Sequence, residues 1–157
     1  MQPKLKSTLL TGALFVFLLL IVLAMLMVFV SGPIEKERRD RVEALKRVET
    51  VYAIAHPIYL NGSDYDRICI MGEGVYQGAK VYFAADTVGT VLDRIAMNKV
   101  NVTTALASAA KTMTFTKPSL RIAYFKGKFV IAVVERRRET LLDIENYSVI
   151  LTVETGT

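Results

Sequence analysis

The apolar and polar positions divide the chain into one long uncharged run and two similar stretches of short alternating segments. From Leu9 to Val30, 22 residues (LLTGALFVFLLLIVLAMLMVFV) pass without a charge. As a helix this run spans about 33 Å, against about 30 Å of bilayer hydrocarbon. A secretory signal has an apolar region of about 7–15 residues and a small-residue cleavage site. Here the run is longer, and the following VSGP is a poor cleavage sequence. The pattern predicts an uncleaved transmembrane anchor at 9–30, preceded by a tail at 1–8.

After Ser31-Gly32-Pro33 the segment IEKERRDRVEALKRVETVYAIAH reads as helix. Pro33 suits a first helical turn. Glu35–Arg39, Glu37–Arg41 and Glu43–Arg47 stand in the favourable acid-before-base order at i,i+4. Val42, Leu45, Val48, Tyr52 and Ala55 recur at helical spacing and make one face apolar. The stripe is too short for a sustained coiled coil, so it is expected to pack on its own domain. His56-Pro57 is expected to end the helix, because proline disfavours helical backbone in its predecessor.

Short extended segments follow. PIYL precedes Asn61-Gly62, a hairpin dipeptide. DRICIMGEG comes next, with Ile68 and Ile70 on one side and Cys69 and Met71 on the other. A turn near Gln77-Gly78, the strand AKVYFAA, a turn at Asp86-Thr87 and VGTVLDRI complete four candidate strands. A second helix is predicted in NVTTALASAAK, capped by Asn101 or Thr103 and closed by Lys117-Pro118. After it LRIAYF, FVIAVVE, TLLDIEN and SVILTVE form a second set of four.

The two halves can be laid over each other with turns at matching places. That alignment puts Arg136, Arg137 and Arg138 where Gly74 to Gln77 fall in the first half. Three consecutive arginines could bind a phosphate, but such a site wants backbone N–H groups at a helix N-terminus. A solvated hairpin tip is the better reading. The fold class expected is α+β: the anchor, then two copies of a helix packed on an antiparallel sheet. Ile68, Ile70, Val81, Phe83, Phe129, Ile131, Leu142 and Ile144 are expected in or near the core. The divisions are 31–99 for the juxtamembrane helix and first copy, and 100–157 for the second.

Charge and chemistry narrow the function classes. From Ser31 on, 18 Lys and Arg stand against 15 Asp and Glu, interspersed, which does not make a nucleic-acid footprint. The single cysteine, Cys69, excludes an internal disulfide and a multi-cysteine metal site. The single histidine, His56, has no serine or cysteine motif beside it. The spaced glycines of MGEGVYQG lack the phosphate-loop pattern and read as turn residues. Asp64 and Asp66 lack the calcium-loop spacing. Asn61, Asn101 and Asn146 each begin a glycosylation tripeptide, a pattern short enough to arise by chance. No catalytic, cofactor-binding or metal-binding residue is assigned, no cofactor is expected, and the chain reads as a non-enzyme with no small-molecule substrate.

Element order along nearly the whole chain resembles the TseB-like (YpmB-like) cell-wall elongation regulators of Gram-positive bacteria. The resemblance is carried by the anchor Leu9–Val30, the helix ERRDRVEALKRVETVYAIAH and the strand pair YDRICIMGEG…GAKVYFAAD. It continues through the helix NVTTALASAAK and the strands from Leu120 to Val153. Asn98-Lys99 replaces the glycine expected before the second helix. The resemblance implies two PepSY/cystatin-like repeats outside the cytoplasm, on a single-pass anchor with its N-terminus inside. It also implies a non-catalytic role exerted by binding a penicillin-binding transpeptidase of the elongation machinery. Local charge argues the other way. Lys36, Arg38, Arg39, Arg41, Lys46 and Arg47 follow the apolar run and outnumber Lys4 and Lys6, which by the positive-inside rule favours a cytoplasmic C-terminal domain. The orientation implied by the resemblance is adopted. A structural subunit of a membrane-spanning secretion or conjugation complex is the alternative, favoured if all strands joined one sheet.

Overall fold

The computed structural model describes residues 3–154. In it the uncharged run is helical. Helix α1 spans Pro3–Leu26, a π-helical turn covers Met27–Ser31, and α2 runs Gly32–Tyr52. Side chains 12–29 are all exposed, and the segment is long and apolar enough to cross a membrane. The chain separates into two compact units, Met1–Asp40 and Arg41–Thr157. All eight strands lie in the second, so the architecture is mixed α+β.

The first sheet has order β1-β2-β3-β4, from Ala55–Ser63, Cys69–Tyr76, Ala79–Ala85 and Val91–Ala96. The second has order β5-β6-β7-β8, from Ser119–Phe125, Lys128–Glu135, Arg138–Asp143 and Val149–Glu154. Every pairing is antiparallel between chain neighbours. Hairpin tips fall at Gln77-Gly78, Lys126-Gly127 and Arg136-Arg137, each opened by a residue at positive φ (50°, 50° and 52°). The arginine tip therefore occupies the place of Gln77-Gly78, just past the Gly74–Gln77 stretch, and all three arginines are exposed. Helix α3 (Val102–Ala109) is capped by Asn101, whose Oδ1 accepts from the Thr104 N–H at 3.1 Å.

One face of the first sheet packs on α2: Val48, Ile54, Val81, Phe83 and Ala85 cluster together. The opposite face carries Cys69, Met71 and Ala84, which share a single core with Ala105 and Ala109 of α3 and with Ile131, Val133 and Leu142 of the second sheet. A further cluster of Ala123, Val130, Ala132 and Leu141 lies on the other face of that sheet, under Tyr65 and Phe125. Strand β6 is thus buried on both faces, which is why FVIAVV reads as a continuous apolar run.

Several expectations need correction. Helix α2 stops at Tyr52, not at His56, because Ala53 turns left-handed (φ 54°) and Ala55 already pairs in β1. Pro57 sits in that edge strand, where a missing N–H is tolerated. The apolar stripe of α2 is Ala44, Leu45, Val48 and Tyr52, whereas Val42 is exposed. Gly89 is required by space: a Cβ there would stand 2.4 Å from the Ala44 carbonyl oxygen, so the β3–β4 turn meets the backbone of α2 directly. Asn61-Gly62 does not turn. Strand β1 runs through it, and the chain reverses later, between Ser63 and Cys69. Ile68 lies in that connection and is 73% exposed, while the other seven expected core residues are buried. Gly72 and Gly74 are not turn residues. They lie inside β2, where a Cβ would meet the ring of Phe83 at 2.3 Å and Ile54 Cγ2 at 2.5 Å.

Candidate functional site

Among the described residues, a hydrogen-bonded cluster of charged and polar side chains from distant parts of the chain forms on the outer face and edge of the second sheet. Arg121 on β5 and Glu139 on β7 point to the same face, since both lie at the odd positions that also carry Ala123 and Leu141. Arg121 Nη2 and Nε donate to Glu139 Oε1 at 2.7 and 3.1 Å. The Tyr65 hydroxyl, from the β1–β2 connection, donates to the same carboxylate and accepts from Arg121 Nη2 at 3.0 Å. Glu139 is buried, but Arg121 keeps 41% of its side chain in solvent, so the pair is anchored at one end only.

Burial, reinforced by the hydrogen bond to Glu139, pushes the Tyr65 phenol well above its ordinary value near 10. The folded state therefore holds the proton where the unfolded state releases it. Stability from this group is complete below pH 10 and is lost as pH rises beyond it. Burial shifts Tyr82 and Tyr124 in the same direction. Urea midpoints measured from pH 8 to 11 are expected to fall in the wild type, and less steeply in Tyr65→Phe. Parallel profiles would show that the phenol does not contribute.

Beside this trio the β1–β2 segment seals the edge of β5. Ser63 Oγ donates to the Tyr124 carbonyl at 3.0 Å and accepts from the Tyr124 N–H at 3.2 Å. Asn61 Nδ2 donates to the Ile122 carbonyl at 3.2 Å, and Asp66 Oδ2 accepts from the Lys126 N–H at 2.9 Å. Consecutive outward-facing groups of β5 are thus satisfied by side chains of one passing strand and its loop.

The candidate residues from the sequence are scattered. His56 is exposed in β1. Cys69 is buried in the shared core, and burial pushes its thiol pKa up. Asn101 caps α3, Asn61 bonds to β5, and Asn146 accepts from the Ser148 N–H in the β7–β8 turn. Among the described residues no group of three or more His, Cys, Asp or Glu is placed to hold a metal ion. A groove of about 240 Å³ is lined by Asp93, Arg94, Lys99, Lys128, Asp143 and Glu145 around Phe129. Three cations face three anions there, so it has no net preference for a charged ligand.

Each member of the Tyr65–Arg121–Glu139 trio looks ordinary locally. The usable signal is Glu139, which shares a face of β7 with the buried Leu141 and so needs a cation on that face. No family model, no curated protein and no solved structure matches the chain.

Proposed function

We propose that this chain is a single-pass, non-catalytic membrane protein whose sheet domain stands outside the cytoplasm and binds another membrane-associated protein. The partner proposed is a penicillin-binding transpeptidase of the elongation machinery, whose activity or level the domain alters. One observation carries the reading: a helix able to cross a membrane is followed by two four-stranded meanders of the same strand order, each with a helix ahead of it. That layout is the one the TseB-like regulators would have, with the meanders as PepSY-like repeats. The side chains that converge do so to seal and brace the sheets, which suits a binding module. Two separate sheets also weigh against the secretion-complex alternative, which called for one.

Co-anchoring confines both proteins to one surface and raises their effective concentration, so a modest interface suffices. The charged helix α2 then acts as the spacer next to the bilayer. The test is in-cell photocrosslinking from exposed positions on the first sheet and its loops, such as Ile58, Ile68 and Val88, together with a C-terminal topology reporter. Capture of a cell-wall transpeptidase with the reporter outside is the expected result. A cytoplasmic reporter, or recovery of a secretion-complex subunit instead, overturns the proposal.

A further inference from the structure

Four strands end the two sheets, and three of them are blunted. Strand β1 contains Pro57 and two breaks in register, both of which discourage a new neighbour. Strand β4 carries Asp93 and Arg94 at its centre. Strand β5 has its Ile122 carbonyl and both Tyr124 backbone groups taken by Asn61 and Ser63. Strand β8 is different. From Val149 to Val153 it has neither charge nor proline, and Val149, Ile150 and Leu151 are 38–42% exposed. Its one break in register leaves Ile150 unmatched between Leu141↔Leu151 and Leu142↔Val149, and Leu151–Glu154 pairs regularly. Hairpin closure at Glu135–Arg138 and the register Leu141↔Leu151, Glu139↔Val153 turn the Thr152 N–H and C=O away from β7.

Charge decides what fits this edge. One end of β8 lies by the Arg136-Arg137 tip, since Arg138 pairs with Glu154 across the ladder. The other end follows the turn holding Asp143 and the exposed Glu145. A second copy running antiparallel places each cationic end beside the other's acidic end, twice by symmetry. A parallel copy would set like charge against like. The outward direction of Thr152 fixes the register as well: Thr152 faces Thr152 of the second copy, and Leu151 faces Val153 within the regular part of the strand.

We propose that β8 is a self-association edge through which two copies join antiparallel, making one continuous eight-stranded sheet. The opposite charges then lie about three strand spacings apart, roughly 14 Å, beyond the screening length of about 10 Å at 0.1 M salt but within the roughly 30 Å at 0.01 M. They favour the antiparallel direction at low salt, Thr152 fixes the register, and the strand itself supplies the contact. The proposal goes beyond the partner assigned above and does not depend on it.

The test uses the full chain in lipid nanodiscs and in detergent. Thr152→Cys is expected to form a disulfide-linked dimer on mild oxidation, because facing Cα atoms in a hydrogen-bonded pair stand about 5.5 Å apart, within disulfide range. Val149→Cys and Glu154→Cys alone are expected not to, whereas a mixture of Leu151→Cys and Val153→Cys chains is. By sedimentation, Ile150→Lys is expected to shift the dimer to monomer. At about 0.01 M salt, where the screening length is roughly 30 Å, Arg136→Glu with Arg137→Glu is expected to weaken it several-fold, with recovery on adding Glu145→Lys. A monomer at every concentration, a dimer indifferent to Ile150→Lys, or equal crosslinking along the strand overturns the proposal. So does Thr152→Cys crosslinking only to a different protein.

Discussion

Gly72→Ala is expected to destabilise the sheet domain by about 3 kcal/mol, the upper end of ordinary overpacking. The added Cβ would stand 2.3 Å from Phe83 Cζ and 2.7 Å from the Ile58 carbonyl oxygen. Neither neighbour has room to move. Phe83 is fully buried between β2 and α2, and the carbonyl belongs to the paired strand β1. Against a total stability of about 5–15 kcal/mol, that loss should be plain in a urea unfolding curve of the detergent-solubilised chain. Phe83→Leu should recover part of it, because the ring is one of the two obstacles and the main chain is the other. The pair should therefore depart from additivity by more than about 0.5 kcal/mol. Gly78→Ala supplies the contrast: it has open space around it and only its φ of +78° to oppose a side chain. Its cost should be about 1 kcal/mol, the left-handed strain alone. If Gly72→Ala unfolds within 0.5 kcal/mol of wild type, the account of β2 as a strand hollowed for Phe83 is wrong.

The difference between those two glycines also marks where sequence reading stops. Gly78 follows Gln77 in a two-residue connection between alternating segments, and that local pattern is enough to place the turn. The same local logic placed the two sets of four strands, the arginine tip and the Asn101 cap, each of which depends on a few adjacent residues. Gly72 and Gly74 look identical to turn glycines until Phe83 and Ile54 are known to lie over them. Asn61-Gly62 fails for a similar reason. Its turn propensity is overridden because Asn61 has a better use as a donor to Ile122, 61 positions away. The trio on the second sheet joins residues 56 and 74 positions apart, and Tyr65 between two aspartates resembles any solvated loop. Ile68 continues the apolar alternation of β2 one residue beyond the strand itself. The strand begins at Cys69, where pairing with Ser63 begins.

Ser63→Ala is expected to cost about 3 kcal/mol, a large effect for the loss of one hydroxyl. Ser63 Oγ both donates to the Tyr124 carbonyl and accepts from the Tyr124 N–H, so its removal strands a donor and an acceptor together. Each unsatisfied buried group costs roughly 1–3 kcal/mol. Water cannot readily replace the hydroxyl, since Ser63 is 2% exposed and Tyr124 5%. Asn61→Ala should cost less, about 1 kcal/mol, because its bond to Ile122 is only partly buried and solvent can reach the carbonyl. The two effects differ in kind as well as size. Ser63 ties the first sheet to the exposed edge of the second, so its loss should speed hydrogen exchange at the Tyr124 amide while Val130, in the sheet interior, stays protected. An unsealed β5 would then offer the protein a second edge for strand pairing, and aggregation should rise with concentration in Ser63→Ala. An unfolding curve that overlays wild type, with Tyr124 exchange unchanged, would mean that β5 is sealed by packing and that the hydroxyl is incidental.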